Sequence, residues 1–104
     1  MEQAKFTITK LSEAPEIKLE AAGYIAYDTA GQFEKALKDS FLENPKCITV
    51  DMEKVVIFTS VAVKVILKFY KNAKENGIEF HIINPSDIVR NVLKLSNLAE
   101  LLFK

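Results

Sequence analysis

The chain has no tryptophan, one cysteine, one histidine, three glycines and three prolines in 104 residues. A single cysteine, Cys47, excludes an internal disulfide, and nothing demands an oxidising compartment. By their own number, His81 and Cys47 are too few to build a zinc site. Gly23, Gly31 and Gly77 are scattered, so the sequence holds no phosphate-binding P-loop and no dinucleotide fingerprint. The lone histidine lies in a strand pattern, so no Ser/His/Asp set forms and no catalytic residue is assigned. Charge of one sign is also missing: fourteen basic and fourteen acidic residues cancel. No global field draws the chain to nucleic acid or to an anionic membrane. The longest apolar runs are too short to span a bilayer, and the opening MEQAKFTITK has no apolar leader core. The expectation is a soluble cytoplasmic protein without cofactor or metal, with no nucleic-acid and no membrane partner.

What is present reads as one globular domain over residues 1–104, with 49% hydrophobic residues. KFTITK (5–10) and EIKLEA (16–21) alternate apolar and polar residues, as half-buried strands do, across a turn at 12–15. GYIAYD (23–28) leads into a helix, with Asp28 expected as its N-cap. Ala30, Phe33, Ala36, Leu37 and Phe41 follow at helical spacing, and Asn44-Pro45 ends that helix. CITVDM (47–52) is a short apolar run, expected to be a buried parallel strand. A short loop and a long helix capped by Ser60 come next. Lys64, Lys68, Lys71 and Glu75 form its narrow polar stripe, which predicts the most buried helix of the chain. Gly77 suits the left-handed position after that helix. IEFHII (78–83) reads as a strand. Asn84-Pro85-Ser86-Asp87 reads as a helix start, with Asn84 as cap, and Ser96-Asn97 breaks that helix before LAELLF returns to the core.

Strands alternating with helices of this length imply right-handed crossovers. The expected fold is an α/β single-domain mixed four-stranded sheet, mostly parallel with an antiparallel N-terminal strand, packed by three main helices.

The chain is organised around residues 49–76, TVDMEKVVIFTSVAVKVILKFYKNAKEN, where a strand meets a long helix at Thr59 and Ser60. In an open α/β sheet, binding happens at that edge of the strands. Asp28 starts another helix after a strand, so it is expected on the same edge. VVIF (55–58) would be an interaction patch if exposed, but burial energetics place most of it toward the core. A buried thiol at Cys47 and a satisfied or edge imidazole at His81 are the expected states of those residues.

Three stretches resemble the STAS family, the domain of anti-sigma factor antagonists and of sulfate-transporter cytoplasmic tails. GYIAYDTAGQF (23–33) is similar to the family's Gly-x-Leu-Asp-x-x-Thr-Ala segment at Gly23, Ile25, Thr29 and Ala30, with Ala26 where the Asp is usual. VDMEKVVIFTSVAVKVIL (50–67) is similar to its Asp-Leu-Ser-x-Val-x-x-hydrophobic-Asp-Ser-Ser-Gly-Leu-Gly pattern through Asp51, Met52, Val55, Phe58 and Ser60. NPSDIVRNVLKLSNLAELLF (84–103) resembles the family's last helix and its Leu-x-x-Leu-Phe ending. Departures cluster at the turn: Thr59 replaces the Asp, Val61 the second hydroxyl residue, and Ala62 and Lys64 the glycines.

The resemblance implies a regulatory, non-enzymatic protein-binding domain. Its partner would be an anti-sigma factor, a serine kinase, which phosphorylates Ser60 and is thereby released. Asp28, Thr59, Ser60, Val61 and Lys64 are the expected partner-binding residues. The departures favour an alternative: a degenerate scaffold or assembly module that binds partners, or self-associates, without a phosphoswitch.

Overall fold

Alternating apolar and polar side chains build a sheet that is covered on one face only. The computed structural model describes residues 5–103. The expectations for residues 1–4 and 104, including the absence of a leader core, lie outside them. The elements are β1 (Phe6–Ser12), β2 (Glu16–Ile25), α1 (Ala30–Phe41), β3 (Cys47–Phe58), α2 (Ser60–Glu75), β4 (Glu79–Ile83), α3 (Asp87–Leu95) and α4 (Ala99–Leu102). The sheet order is β1-β2-β3-β4, with β1 antiparallel to β2 and the other pairs parallel. The fold class therefore agrees with the expectation.

Ile17, Leu19 and Ala21 of β2, Ile48, Val50 and Met52 of β3, and Phe80 and Ile82 of β4 are buried and share one face. Phe33 and Leu37 of α1, Ile66 and Phe69 of α2, Val89 and Leu93 of α3, and Leu102 of α4 join them in a single core. Each fully buried side chain of this size contributes about 1.5–3 kcal/mol. Phe6 anchors the edge strand β1, meeting the Phe33 ring edge-to-face at 6.0 Å between centroids.

The other face of the sheet is open, which corrects the reading of residues 47–52 as a fully buried strand. Thr49, Asp51 and His81 stand on it, half-buried, beside exposed Glu79. β3 also runs on to Phe58, and no loop separates it from α2. The β2–β3 register shifts twice, between Glu20 and Ala22 and between Gly23 and Tyr24. Those bulges turn the VVIF side chains apart. Val55 and Phe58 are buried, while Val56 is 56% and Ile57 39% exposed. Only half of the stretch faces the core.

β2 likewise continues through Gly23 rather than ending at Ala21. Gly23 has φ +95°, and a Cβ there would lie 2.2 Å from the Lys5 carbonyl oxygen. Only glycine fits that backbone.

Helix ends follow recognisable rules. At the end of α2 the Ile78 N–H donates to Ala73 O and the Gly77 N–H to Lys74 O, a Schellman closure. Asn97, at φ +58°, closes α3 the same way through Leu98 N–H to Leu93 O. The N-caps differ from expectation. α1 begins after Thr29, not Asp28, and α3 after Ser86, not Asn84. Asn84 adopts φ +48°, and its side-chain amide donates to Asp51 Oδ2 at 3.1 Å. The turn needs that amide, so the helix starts two residues later. α2 buries Ala62, Val65, Ile66, Phe69 and Ala73, more residues than any other described helix, whereas Asn72, Lys74 and the lysine row face solvent. The tail ends against β4, where Phe103 pairs with Ile82 in parallel fashion.

Candidate functional site

The C-terminal ends of β2 and β3 lie side by side, with Ile25 registered against Phe58. Their following turns are tied together. The Thr59 backbone N–H donates to the Ile25 carbonyl at 3.2 Å, and Thr59 Oγ1 donates to the same oxygen at 3.3 Å. Thr59 is extended, at φ −102° and ψ 176°, and is the N-cap of α2. Ser60 is therefore not the cap but the first helical residue. Its side chain is exposed at the positive end of a 16-residue helix with no acid in its first turn.

Thr29 braces the neighbouring turn. Its buried hydroxyl accepts from the Ala26 N–H at 2.9 Å and donates to the Tyr24 carbonyl at 2.6 Å. That hydroxyl makes no helix-cap bond. Asp28 beside it is exposed and pairs with Lys5 at 2.8 Å. The hydrogen bond and charge of Lys5 hold the Asp28 carboxyl below its ordinary range, and Asp28 in turn raises the Lys5 ammonium. Asp28 and Ser60 thus share one edge as starts of neighbouring helical segments, but Asp28 serves an ion pair rather than a cap.

Next to Ser60 runs a groove of about 340 Å³ between α2 and α3, lined by Phe58, Ser60, Val63, Lys64, Val92 and Leu95, with Ser96 at its end. Leu95 is 86% exposed. Lys64, one turn after Ser60, lies on the same helix face. Val61, half-buried, packs against the core and is held away from full exposure. Sequence reasoning found Thr59, Ser60 and Lys64 on this edge but missed Val63, Val92 and Leu95. The available signal was Leu95, an apolar residue one step off the Val89–Leu93 stripe.

Asp51 is structural. Its Oδ1 accepts from the Glu53 N–H at 3.1 Å while Oδ2 takes the Asn84 amide. It locks the β3 bulge to the turn before α3. Lys68 leans toward Glu34 at 3.5 Å and over the Phe69 ring at 5.7 Å, so it belongs to the α1–α2 contact and not to the Ser60 edge.

At the far end of the sheet, on its open face, Cys47, Glu79 and His81 place one potential ligand atom each within 4.8 Å of one another. Parallel pairing of β3 with β4 sets Cys47 opposite Glu79 and Thr49 opposite His81.

Comparison with known proteins gives a consistent picture. The crystal structure of an anti-sigma factor antagonist from Mycobacterium paratuberculosis superposes with TM-score 0.84 at 18% identity, over 93% of this chain and 82% of that one. The anti-sigma factor antagonist SpoIIAA in its unphosphorylated form gives TM-score 0.78 at 16% identity, over 94% of this chain and 85% of that one. The NMR structure of the protein TM1081 gives TM-score 0.73 at 24% identity, over 89% of this chain and 75% of that one. These likenesses are of fold. No curated protein matches in sequence. The family model described as the STAS domain matches residues 4–104, nearly the whole chain. With that match and this topology, the chain belongs to the STAS domain family.

Proposed function

We propose that this domain is a non-enzymatic regulatory module of the anti-sigma factor antagonist type. It docks an anti-sigma factor, a serine kinase, on the edge formed by the β2–α1 turn, the start of α2 and the α2–α3 groove. The observation that carries this reading is the position of Ser60. It is exposed, first in its helix, and flanked by an apolar groove that a partner can cover. The structural likeness to two anti-sigma factor antagonists supports the partner class.

Phosphorylation of Ser60 would bring about −1.5 to −2 charges onto the helix N-terminus. Free backbone N–H groups and the helix dipole favour an anion there by about 0.3–1 kcal/mol. Lys64, four residues on, is positioned to pair with it. The helix tolerates the phosphate, whereas a partner surface packed over Phe58, Val63 and Leu95 does not tolerate a buried dianion. The switch therefore acts by blocking docking and not by unfolding the turn.

The test is partner capture and binding by wild type and Ser60→Asp, with mass spectrometry after incubation with the captured kinase and ATP. Phosphate on Ser60 together with lost binding of Ser60→Asp supports the switch. Equal binding of both forms, with no phosphate, replaces it by a fixed scaffold. That second reading draws on Thr59 and Val61, whose side chains are engaged with the Ile25 carbonyl and the core.

A further inference from the structure

We propose that Cys47, Glu79 and His81 form a three-ligand site for a borderline divalent cation, zinc before others, on the open face of the sheet. A thiolate, an imidazole and a carboxylate are a ligand set that zinc accepts, with one position left for water or a group from outside.

The backbone brings the three together without strain. Cys47 begins β3 and Glu79 begins β4, as direct cross-strand partners, and His81 follows Glu79 by two residues on the same face. A parallel ladder fixes those Cα positions, so only side-chain rotation is needed to close the site. His81 Nε2 stands 3.5 Å from Glu79 Oε1. That is long for a hydrogen bond, yet bonds of about 2.0–2.2 Å to a tetrahedral ion hold such ligand atoms roughly 3.3–3.5 Å apart. All three ligand atoms lie within 4.8 Å of one another, and Glu79, whose side chain is 70% exposed, is free to rotate toward the other two.

The imidazole meets the cluster through Nε2, the nitrogen that faces Glu79. Its Nδ1 is buried and has no hydrogen-bond partner among the described residues. Thr49 completes the surroundings: its Oγ1 lies 3.7 Å from Cys47 Sγ and is placed to hydrogen-bond a thiolate. On β2, Glu16 is registered against Cys47 and Lys18 against Thr49, so the neighbouring charges offset one another. Binding replaces the thiol proton by the metal: the S–H bond breaks, the sulfur electron pair forms the S–M bond, and the proton goes to solvent.

The site is independent of the proposed docking edge. It lies at the start of β3, and Ser60 follows the end of that strand, roughly 30 Å away, the span of the ten-residue partner β2 at about 3.3 Å per residue.

The experiment is a titration of the reduced, metal-free full chain with Co²⁺. One equivalent is expected to give the near-ultraviolet thiolate-to-cobalt charge-transfer band and the intense visible bands of a four-coordinate ion, both bleached by Zn²⁺. Cys47→Ser abolishes the charge-transfer band. His81→Gln and Glu79→Ala each weaken Co²⁺ binding by about tenfold or more. Far-ultraviolet circular dichroism of the metal-free variants checks that each is folded. Absence of the band at saturating Co²⁺, a six-coordinate spectrum, or binding unchanged in Cys47→Ser or His81→Gln overturns the proposal.

Discussion

Thr59 holds the carbonyl of Ile25 with two donors, its backbone N–H at 3.2 Å and its hydroxyl at 3.3 Å. Adjacent strand ends are clamped there, and Ser60 is left outside the clamp. The two hydroxyl residues therefore separate into a structural one and an available one. Thr59→Val is expected to lower unfolding free energy by about 0.5–1.5 kcal/mol through the lost hydrogen bond. Ser60→Ala is expected to stay within about 0.5 kcal/mol of wild type, as an exposed residue that is not the cap. Urea denaturation of both variants measures the difference, and a larger loss for Ser60→Ala would reverse the assignment.

Leu95 is exposed at the rim of the groove beside Ser60. Leu95→Asp is expected to leave the denaturation midpoint nearly unchanged and to weaken partner binding at least tenfold, by placing a charge in an apolar contact. Isothermal titration against the captured partner reads this directly. Undiminished affinity would exclude the groove from the docking surface.

Glycines at two positions should respond in opposite directions to the same substitution. Gly23→Ala puts a methyl group 2.2 Å from the Lys5 carbonyl at a positive φ, and an expected loss of about 2 kcal/mol or more follows. Gly31→Ala, in the first turn of α1 with no atom within 4 Å of the added Cβ, is expected to stabilise by about 0.4–1 kcal/mol. Thermal and denaturant melts of the pair test whether glycine is obligatory at Gly23.

The Lys5–Asp28 pair makes a pH prediction with a definite sign. The folded Asp28 carboxyl is held low by Lys5, so its stabilising contribution is present above the unfolded carboxylate range near 4 and is lost as pH falls through the lower folded value. The Lys5 ammonium is held high, so its contribution is present below the ordinary lysine range and is lost as pH rises through the higher folded value. Carboxyl-detected NMR titration should find Asp28 titrating below an ordinary aspartate, and Lys5→Met should return it upward. Both side chains are largely exposed, so added salt is expected to shrink the shift.

The order of elements and the core stripes were legible in the sequence because each rests on a local period. Ile17, Leu19 and Ala21 alternate, and Val89 and Leu93 recur at helical spacing. The length of β3 was not legible, because its two bulges shift the alternation at Glu53–Lys54 and again at Val56–Ile57. The caps at Thr29 and Ser86 were displaced from Asp28 and Asn84 by tertiary bonds: Lys5 draws Asp28, and Asp51 draws Asn84. Ser60 and Lys64 could be placed at the edge from sequence, whereas the groove needed the α2–α3 packing and the Cys47–Glu79–His81 cluster needed the β3–β4 register. Both depend on residues distant in the chain.

The pairing of Phe103 with Ile82 has a consequence for how copies of this protein behave in solution. β4 is a border strand, and its outer N–H and C=O groups would otherwise offer a template to any passing extended segment. The bridge from Phe103 blocks that border at Ile82. Trimming the chain before Leu98 is therefore expected to favour edge-to-edge assembly. Thioflavin binding and light scattering of the shortened form would detect that change.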